Sequence, residues 1–298
     1  MELQRQRLQE MGFKDVYIGY NEMSRPSIEE SLSKMIADGI DEVIAMPFFV
    51  ASGLHMERDI PPKLFLKNGE HDKNIEVDGK KLVMHFGEPF GNDPLLTEIL
   101  KERGIEALIV IGGDGSFKGA AELSKYGINV IGVPATIDMD IACTDYTIGF
   151  DTAMNTCMEC IDKIRDTTSS HCRCSLTEVM GNKCGDLALF CGLAVGAEMI
   201  LTQDHPIGDE EIFETLRKMK EIDPHKRVII VVSEKLYPDI HAFGKRIQAE
   251  TGFDTRANIL GHVQRGGSPS AFDRVLAARM GAYAVDCLLE GKGVIAGF

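Results

Sequence analysis

The chain has 298 residues, 44% of them hydrophobic, with a formal net charge of -14 and a pI near 5.0. That length supports one large or two ordinary domains with ample core, two being the expectation, and the acidity argues against nucleic acid while leaving room for a local basic site. MELQRQRLQE is polar and mixed in charge and no apolar run reaches spanning length, so a soluble, cytoplasmic protein with no secretory signal and no membrane partner is expected.

Glu2 to Met11 reads as a short amphipathic helix and Val16 to Tyr20 as a strand. Ser27-x-x-Glu30 matches a capping box, followed by Ile28, Leu32, Met35 and Ile36 at helical spacing and by Gly39 as a stop. Val43 to Val50 reads as a strand ending in the loop ASGLHMERDIPP, Lys67 to Lys81 as charged loop, and Leu82 to Phe86 as another strand. Asn92-Asp93-Pro94 opens a helix as cap and first-turn proline, and Gly104 closes it.

Glu106 to Asp140 is the stretch richest in chemistry. Ala107 to Ile111, short and apolar between breakers, predicts a fully buried parallel strand. Gly112, Gly113 and Gly115 let the backbone turn sharply and approach a ligand closely. A helix from about Phe117 then aims unpaired N–H groups and a positive dipole end at that loop, an arrangement suited to phosphate. Asp114 would repel such an anion unless a divalent cation lay between them, and Mg²⁺ favours carboxylate plus phosphate oxygens. A ligand-free βα turn is the plainer alternative. Pro134 to Asp140, PATIDMD, ends the next strand, and in open parallel sheets ligands sit beyond carboxyl ends of strands. Asp138 and Asp140 there have the spacing for one carboxylate on a substrate hydroxyl and one on a partner, as a general base requires.

Alternation continues with helix Thr152 to Arg165, strand Ser175 to Met180, helix Asp186 to Ala197 and strand Met199 to Thr202. Helix Glu210 to Met219, buried strand Arg227 to Val232, helix His241 to Glu250, strand Ala257 to His262 and helix Phe272 to Leu289 follow, so the class is α/β. All eight cysteines lie at or beyond Cys143. Cys157, Cys160, Cys172 and Cys174 admit a zinc reading. Met154, Cys157, Met158, Ile161 and Ile164 also form a helical apolar stripe, for which buried free thiols are the commoner outcome.

GGDGSFKGA, PATIDMDIACTDYTIGFDTA, SHCRCSLTEVMGNKCGDLAL and LGHVQRGGSPSAFDR, in that order, resemble the ATP-dependent 6-phosphofructokinase family over about residues 104–298. The resemblance implies phosphoryl transfer from ATP to the 1-hydroxyl of fructose 6-phosphate, with Mg²⁺. It assigns Gly113, Asp114, Gly115, Ser116 and Gly119 to nucleotide phosphates and Mg²⁺; Gly115, where pyrophosphate-using relatives carry an acid, favours ATP. Asp138 matches the base, with Thr136 and Asp140 in support. Arg173, Arg256, His262 and Arg265 match residues gathered around the sugar 6-phosphate, and Glu234, Met180 and Gly181 match contacts to the sugar. In the family Arg173 and Arg256 reach a neighbouring subunit's substrate, which implies a homo-oligomer. Ala135, Met139 and Asn182 stand where ATP-using members have glycine, asparagine and arginine, and the last change weakens charge stabilisation.

PFFVASGLHMERDIP and HFGEPFGNDPLLTEILKER, in residues 1–103, instead resemble the small sirohydrochlorin cobalto/ferrochelatases, with a flavodoxin-like fold. His55 matches one of that family's metal-binding histidines, suited to Co²⁺ or Fe²⁺; a loop histidine without ligand is the alternative. Glu57, Asp59, His71 and His85 could replace missing ligands, but their spacing fits solvated charges better. The chelatase's first strand and the kinase's N-terminal and last portions are not matched, so two segments joined near residue 104 are expected, natural or constructed. Three functions follow: an impaired phosphofructokinase, a chelatase, or a folded chimera without catalysis.

Overall fold

The computed structural model describes residues 1–21, 24–48, 55–77, 79–89, 94–142, 144–168, 173–293 and 297. The chain divides into two compact units, Met1–Leu108 with Asp114–Val130, and Ile109–Gly113 with Ile131–Phe298.

In the first unit, α1 (Glu2–Glu10) buries no residue and α2 (Ile28–Ala37) opens on the expected capping box. Ser27 Oγ accepts from Glu30 N at 3.1 Å, and the Glu30 carboxylate accepts from Ser27 N at 2.8 Å. Gly39, at φ +86°, ends the turn after α2. β1 (Glu42–Ala45), a π turn (His55–Asp59), α3 (Ile60–Lys63), β2 (Asp72–Val77) and β3 (Lys80–Phe86) follow. The sheet order is β1-β3-β2, with β1 parallel and β2 antiparallel to β3. Val43, Ile75, Leu82, Met84 and Phe86 pack from this sheet onto Leu32, Ile36, Ile60 and Leu64.

Two expectations fail here. Lys67 to Lys81 contains β2, because in DKNIEV Ile75 is buried and Val77 packs against the same core while Asp72, Asn74 and Glu76 face solvent. Val16 to Tyr20 forms no ladder. Tyr20 N donates to Pro26 O at 2.9 Å, and among the described residues the segment pairs through an isolated Tyr20–Ser27 bridge. The histidines expected as solvated are engaged: His71 Nδ1 lies 3.0 Å from Phe86 O, and His85 lies between Asp72 (2.6 Å) and Glu42 (3.2 Å).

α4 (Pro94–Glu102) leads to β4 (Ala107–Gly112), α5 (Asp114–Lys125) and β5 (Asn129–Pro134). β4 and β5 form a two-stranded sheet. β4 is not fully buried as expected: Ile109 is 39% and Ile111 67% exposed, because an apolar run specifies a strand without specifying cover on both faces. α5 begins at Asp114, three residues before the expected start, so Asp114, Gly115 and Ser116 form its first turn, Gly112 ends β4 and only Gly113 lies between strand and helix.

The second unit contains α6 (Phe150–Thr168), β6 (Cys174–Val179), α7 (Asp186–Val195), β7 (Met199–Leu201), α8 (Asp209–Ile222), β8 (Val228–Ser233), α9 (Ile240–Thr251), β9 (Thr255–Ile259), a 3₁₀ turn (Gly261–Arg265) and α10 (Ala271–Leu289). Its sheet is entirely parallel, in the order β7-β8-β6-β9. All six residues of β8 are buried, and side-chain alternation divides them between two cores. Val228, Ile230 and Val232 pack with Ile212, Leu216, Phe243 and Ile247 of α8 and α9. Ile229 and Val231 pack on the other face with Phe150, Cys157, Ile161 and Leu187 of α6 and α7. Each such Val or Ile contributes roughly 1.5–3 kcal/mol on burial.

Buried Asp273 of α10 caps α6, accepting from Gly149 N at 2.9 Å, Thr152 N at 2.8 Å and the Thr152 hydroxyl. His262, expected to end a strand, lies in the 3₁₀ turn instead. Among the described residues no helix is long and apolar enough to cross a membrane.

Candidate active site

In the second unit the carboxyl ends of the strands carry the charged side chains. β5 runs into Thr136, Asp138 and Asp140, β6 into Met180 and Gly181, β8 into Glu234 and Lys235, and β9 into the turn bearing His262 and Arg265. Thr136 holds the acidic turn at both ends: its Oγ1 accepts from Asp138 N at 3.2 Å, and its carbonyl accepts from Thr147 Oγ1 at 2.6 Å.

Asp138 Oδ1 is buried without a hydrogen-bond partner. Burial pushes the Asp138 carboxyl above the usual carboxylate range and Asp140 adds to this; Arg265 opposes it, Glu234 raises it further and Lys235 lowers it. A buried acceptor left open is costly unless something occupies it in function.

Glu234 Oε1 accepts from Gly181 N (3.2 Å) and Asn182 N (2.7 Å), locking the end of β8 to the end of β6. Gly181 is required by geometry: φ is +143°, and an added Cβ would stand 2.4 Å from Cys184 O. Asn182 Nδ2 reaches Asp140 Oδ2 at 3.3 Å, and Asn182 Oδ1 accepts from Lys235 Nζ at 2.6 Å. Of four non-glycine residues with positive φ among those described, three belong to this cluster: Met139, Asn182 and Lys235. Backbone strain of this kind concentrates at functional sites.

The 3₁₀ turn is anchored by Gln264, 1% exposed, whose Oε1 accepts from Met180 N (3.0 Å) and the Cys157 thiol (3.1 Å) while Nε2 donates to Gly261 O (2.8 Å). Sequence reading missed both Gln264 and Lys235. The first sits inside LGHVQRGG, a quoted motif; the second carries no signal, since its role depends on a left-handed φ.

Arg173 and Arg256 lie elsewhere. Arg173 precedes β6 and Arg256 is the second residue of β9, so both occupy the amino edge of the sheet. Arg173 Nε meets Asp254 at 2.6 Å, and Arg256 meets the same carboxylate at 3.4 Å. Six strand residues at about 3.3 Å each put this edge roughly 20 Å from the Gly181 end.

Gly113 abuts Thr136, an added Cβ lying 3.4 Å from the threonine Cβ. Asp114, first residue of α5, pairs with Lys118 at 2.9 Å, both side chains more than half exposed. Nothing lies within 4 Å of a Cβ built on Gly115, Ser116 is exposed and Gly119 is buried. His55 opens the π turn, but its side chain, like that of Glu57, is outside the described residues. Cys172 of the zinc reading is also outside them; Cys157 and Cys174 are buried and Cys160 is half-buried, all as free thiols. Among the described residues no three His, Cys, Asp or Glu side chains converge as metal ligands.

Fold and side chains together define an α/β protein whose second unit carries a parallel sheet, with Asp138, Asp140, Glu234, Lys235, His262 and Arg265 following the carboxyl ends of β5, β8 and β9. The chain belongs to the phosphofructokinase family: the family model described as Phosphofructokinase matches residues 60–288. A second model, CbiX, matches residues 1–107, overlapping the first over 60–107 and agreeing with the chelatase-like reading of that segment. The chain is 57% identical over 196 residues to an ATP-dependent 6-phosphofructokinase of Bacillus pumilus (strain SAFR-032), covering 66% of this chain and 61% of that protein. It is 48% identical over 200 residues to one of Spiroplasma citri, covering 67% and 61%. Among solved structures, a phosphofructokinase from Saccharomyces cerevisiae superposes with TM-score 0.60 at 33% identity, covering 67% of this chain and 31% of that one. The chain thus spans about three fifths of the length of the curated relatives it matches.

Proposed function

We propose that this chain transfers the terminal phosphoryl group of ATP to the 1-hydroxyl of fructose 6-phosphate. Relatives named ATP-dependent 6-phosphofructokinase support the substrates, and Asp138 carries the chemistry: a half-buried carboxylate with one open acceptor oxygen beside Arg265. Asp138 takes the 1-hydroxyl proton as that oxygen bonds to the γ-phosphorus, and the bond to the β,γ-bridging oxygen breaks to release ADP. Such a base contributes roughly 10²- to 10⁴-fold. Arg265 and His262 hold the sugar 6-phosphate, a guanidinium fork suiting phosphate geometry; Glu234, Met180 and Gly181 hold the sugar, and Thr136 and Asp140 orient the base.

Gly113 and the α5 residues Asp114, Gly115, Ser116 and Gly119 hold the nucleotide phosphates and Mg²⁺. Asp114 fits Mg²⁺, since its partner Lys118 is an exposed i,i+4 lysine and such an ion pair is worth little; the open space over Gly115 leaves room for phosphate oxygens. When bound, Mg²⁺ neutralises charge on the transferring phosphates. The placement of Arg173 and Arg256 at the amino edge supports a homo-oligomer, in which they serve a neighbouring subunit's sugar phosphate. Domain limits near residues 103 and 104 and a cytoplasmic location accord with this reading.

A coupled assay of fructose 6-phosphate phosphorylation, with Asp138→Asn alongside, tests it. Loss of about 10²-fold or more in the variant is expected; equal rates remove Asp138 from the mechanism, and no turnover by the parent protein refutes the activity.

A second reading is favoured by the CbiX match and by an apolar cavity of about 340 Å³ at the carboxyl end of β1, lined by Met46, Phe48 and Phe86. In it the first segment inserts Co²⁺ or Fe²⁺ into sirohydrochlorin, with His55 as a metal contact. Absence of a metal-dependent change in the tetrapyrrole spectrum, or an unchanged one in His55→Ala, counts against it.

A further inference from the structure

Lys235 has no place in the roles assigned above, yet its geometry is specific. It follows the fully buried β8 and takes φ +66°, a left-handed conformation that L residues avoid. That turn brings its Nζ to 2.6 Å from Asn182 Oδ1. An ammonium has only donors, so it fixes which end of the Asn182 amide is oxygen and leaves Nδ2 facing Asp140 Oδ2 at 3.3 Å. Asn182 is itself left-handed, at φ +58°, and its N–H is held by Glu234.

The charge balance explains why a cation belongs there. Three carboxylates, Asp138, Asp140 and Glu234, meet at this rim, and Glu234 already accepts two backbone N–H groups. The groups facing Asp138 are Asp140 in its own turn, Glu234 and Lys235 at the end of β8, and Arg265 on the 3₁₀ turn. Arg265 and Lys235 are therefore the two positive charges set against burial and two neighbouring carboxylates.

We propose that Lys235 is a positioning residue for phosphoryl transfer: through the Asn182 amide its ammonium fixes Asp140, and from the rim of β8 it supplies the second positive charge facing Asp138. This rests on the kinase reading of the site. Without the ammonium, one cation faces three carboxylates, the amide is free to turn over, and the base stays protonated over a wider pH range.

Lys235 is exposed, so substitution leaves the core untouched. The test compares the parent protein with Lys235→Met and Lys235→Arg by carbon-13 NMR titration of the aspartate carboxyl groups, Asp138→Asn assigning the resonance, and by the pH profile of kcat/KM for fructose 6-phosphate. In Lys235→Met, Asp138 titrates at higher pH, the acid limb of the profile moves with it, and kcat/KM at pH 7 falls about two- to fivefold, the scale of a solvent-facing charge contact. Lys235→Arg restores both. Asp138 titrating in Lys235→Met at the same pH as in the parent overturns the proposal, whatever the activity. A displaced titration in a protein that never phosphorylates the sugar overturns the kinase reading and upholds the electrostatic role of Lys235.

Discussion

Gly181→Ala joins backbone, packing and site in one substitution. The new methyl group would lie 2.4 Å from Cys184 O, at φ +143°, so the turn or the end of β6 must move by about 1 Å to reach ordinary contact. The dihedral alone costs an L residue about 1–3 kcal/mol, and the forced displacement costs about 1–3 kcal/mol more. At a middle value of about 4 kcal/mol, a unit of about 170 residues loses roughly 8–16 °C in Tm. Gly196→Ala is the control, since φ is +62° with nothing within 4 Å; the dihedral alone, about 1 kcal/mol, lowers Tm by roughly 2–4 °C. Displacing the Gly181 and Asn182 N–H groups also unlocks Glu234, so fructose 6-phosphate affinity falls in the first variant and holds in the second. Calorimetric melting and titration read the two effects. If Gly181→Ala loses no more stability than Gly196→Ala, the close approach to Cys184 is not what demands glycine.

The remaining expectations are independent. Asp138→Asn removes a charge that burial penalises, so it melts no lower than the parent at pH 7 despite losing turnover; in the parent, kcat/KM falls as pH drops through a carboxyl titration above the ordinary aspartate range. Asp273→Ala strands two N–H donors and a hydroxyl at the start of α6 and costs roughly 2–4 kcal/mol in urea unfolding; a loss below about 0.5 kcal/mol refutes the cap. The Asp72 hydrogen bond, with that of Glu42, raises the His85 pKa. Its contribution to the first unit is therefore full below about pH 6.5 and is lost as pH rises through the raised value; His85→Gln flattens that dependence, and an equal slope in both proteins refutes it. Asp138→Asn mixed with Arg256→Ala regains activity if subunits complete each other's sites, whereas two inactive proteins that stay inactive refute that sharing.

The second unit was largely legible in the sequence because its signals were strong and mutually consistent. RVIIVV is apolar on both strand faces, α6, α8 and α9 around it are amphipathic, and both cores of β8 follow from alternation. The first unit was less so. The charges of Lys67 to Lys81 masked a period-two pattern with one buried residue, although Asp78-Gly79, between the paired Val77 and Lys80, is the sequence signal for a two-residue hairpin loop. Val16 to Tyr20 has strand composition, but composition does not specify a ladder, and among the described residues it pairs through an isolated bridge. At the site, the acids and arginines were readable as residue types. The left-handed φ of Met139, Asn182 and Lys235 was not, since none is glycine, and the link from Gln264 to Cys157 and Met180 joins positions up to 107 residues apart.

Asp254 takes on significance from the two guanidinium groups it holds at the sheet's amino edge. Both cations are kept side by side without an anion, so that on the proposed reading a neighbouring subunit's sugar phosphate would meet side chains whose rotamer freedom is already curtailed. It must also displace a carboxylate that competes for the same protons. The far edge is thereby self-satisfied: on the proposed reading, only an anion that outcompetes the Asp254 carboxylate for both guanidinium groups would hold them.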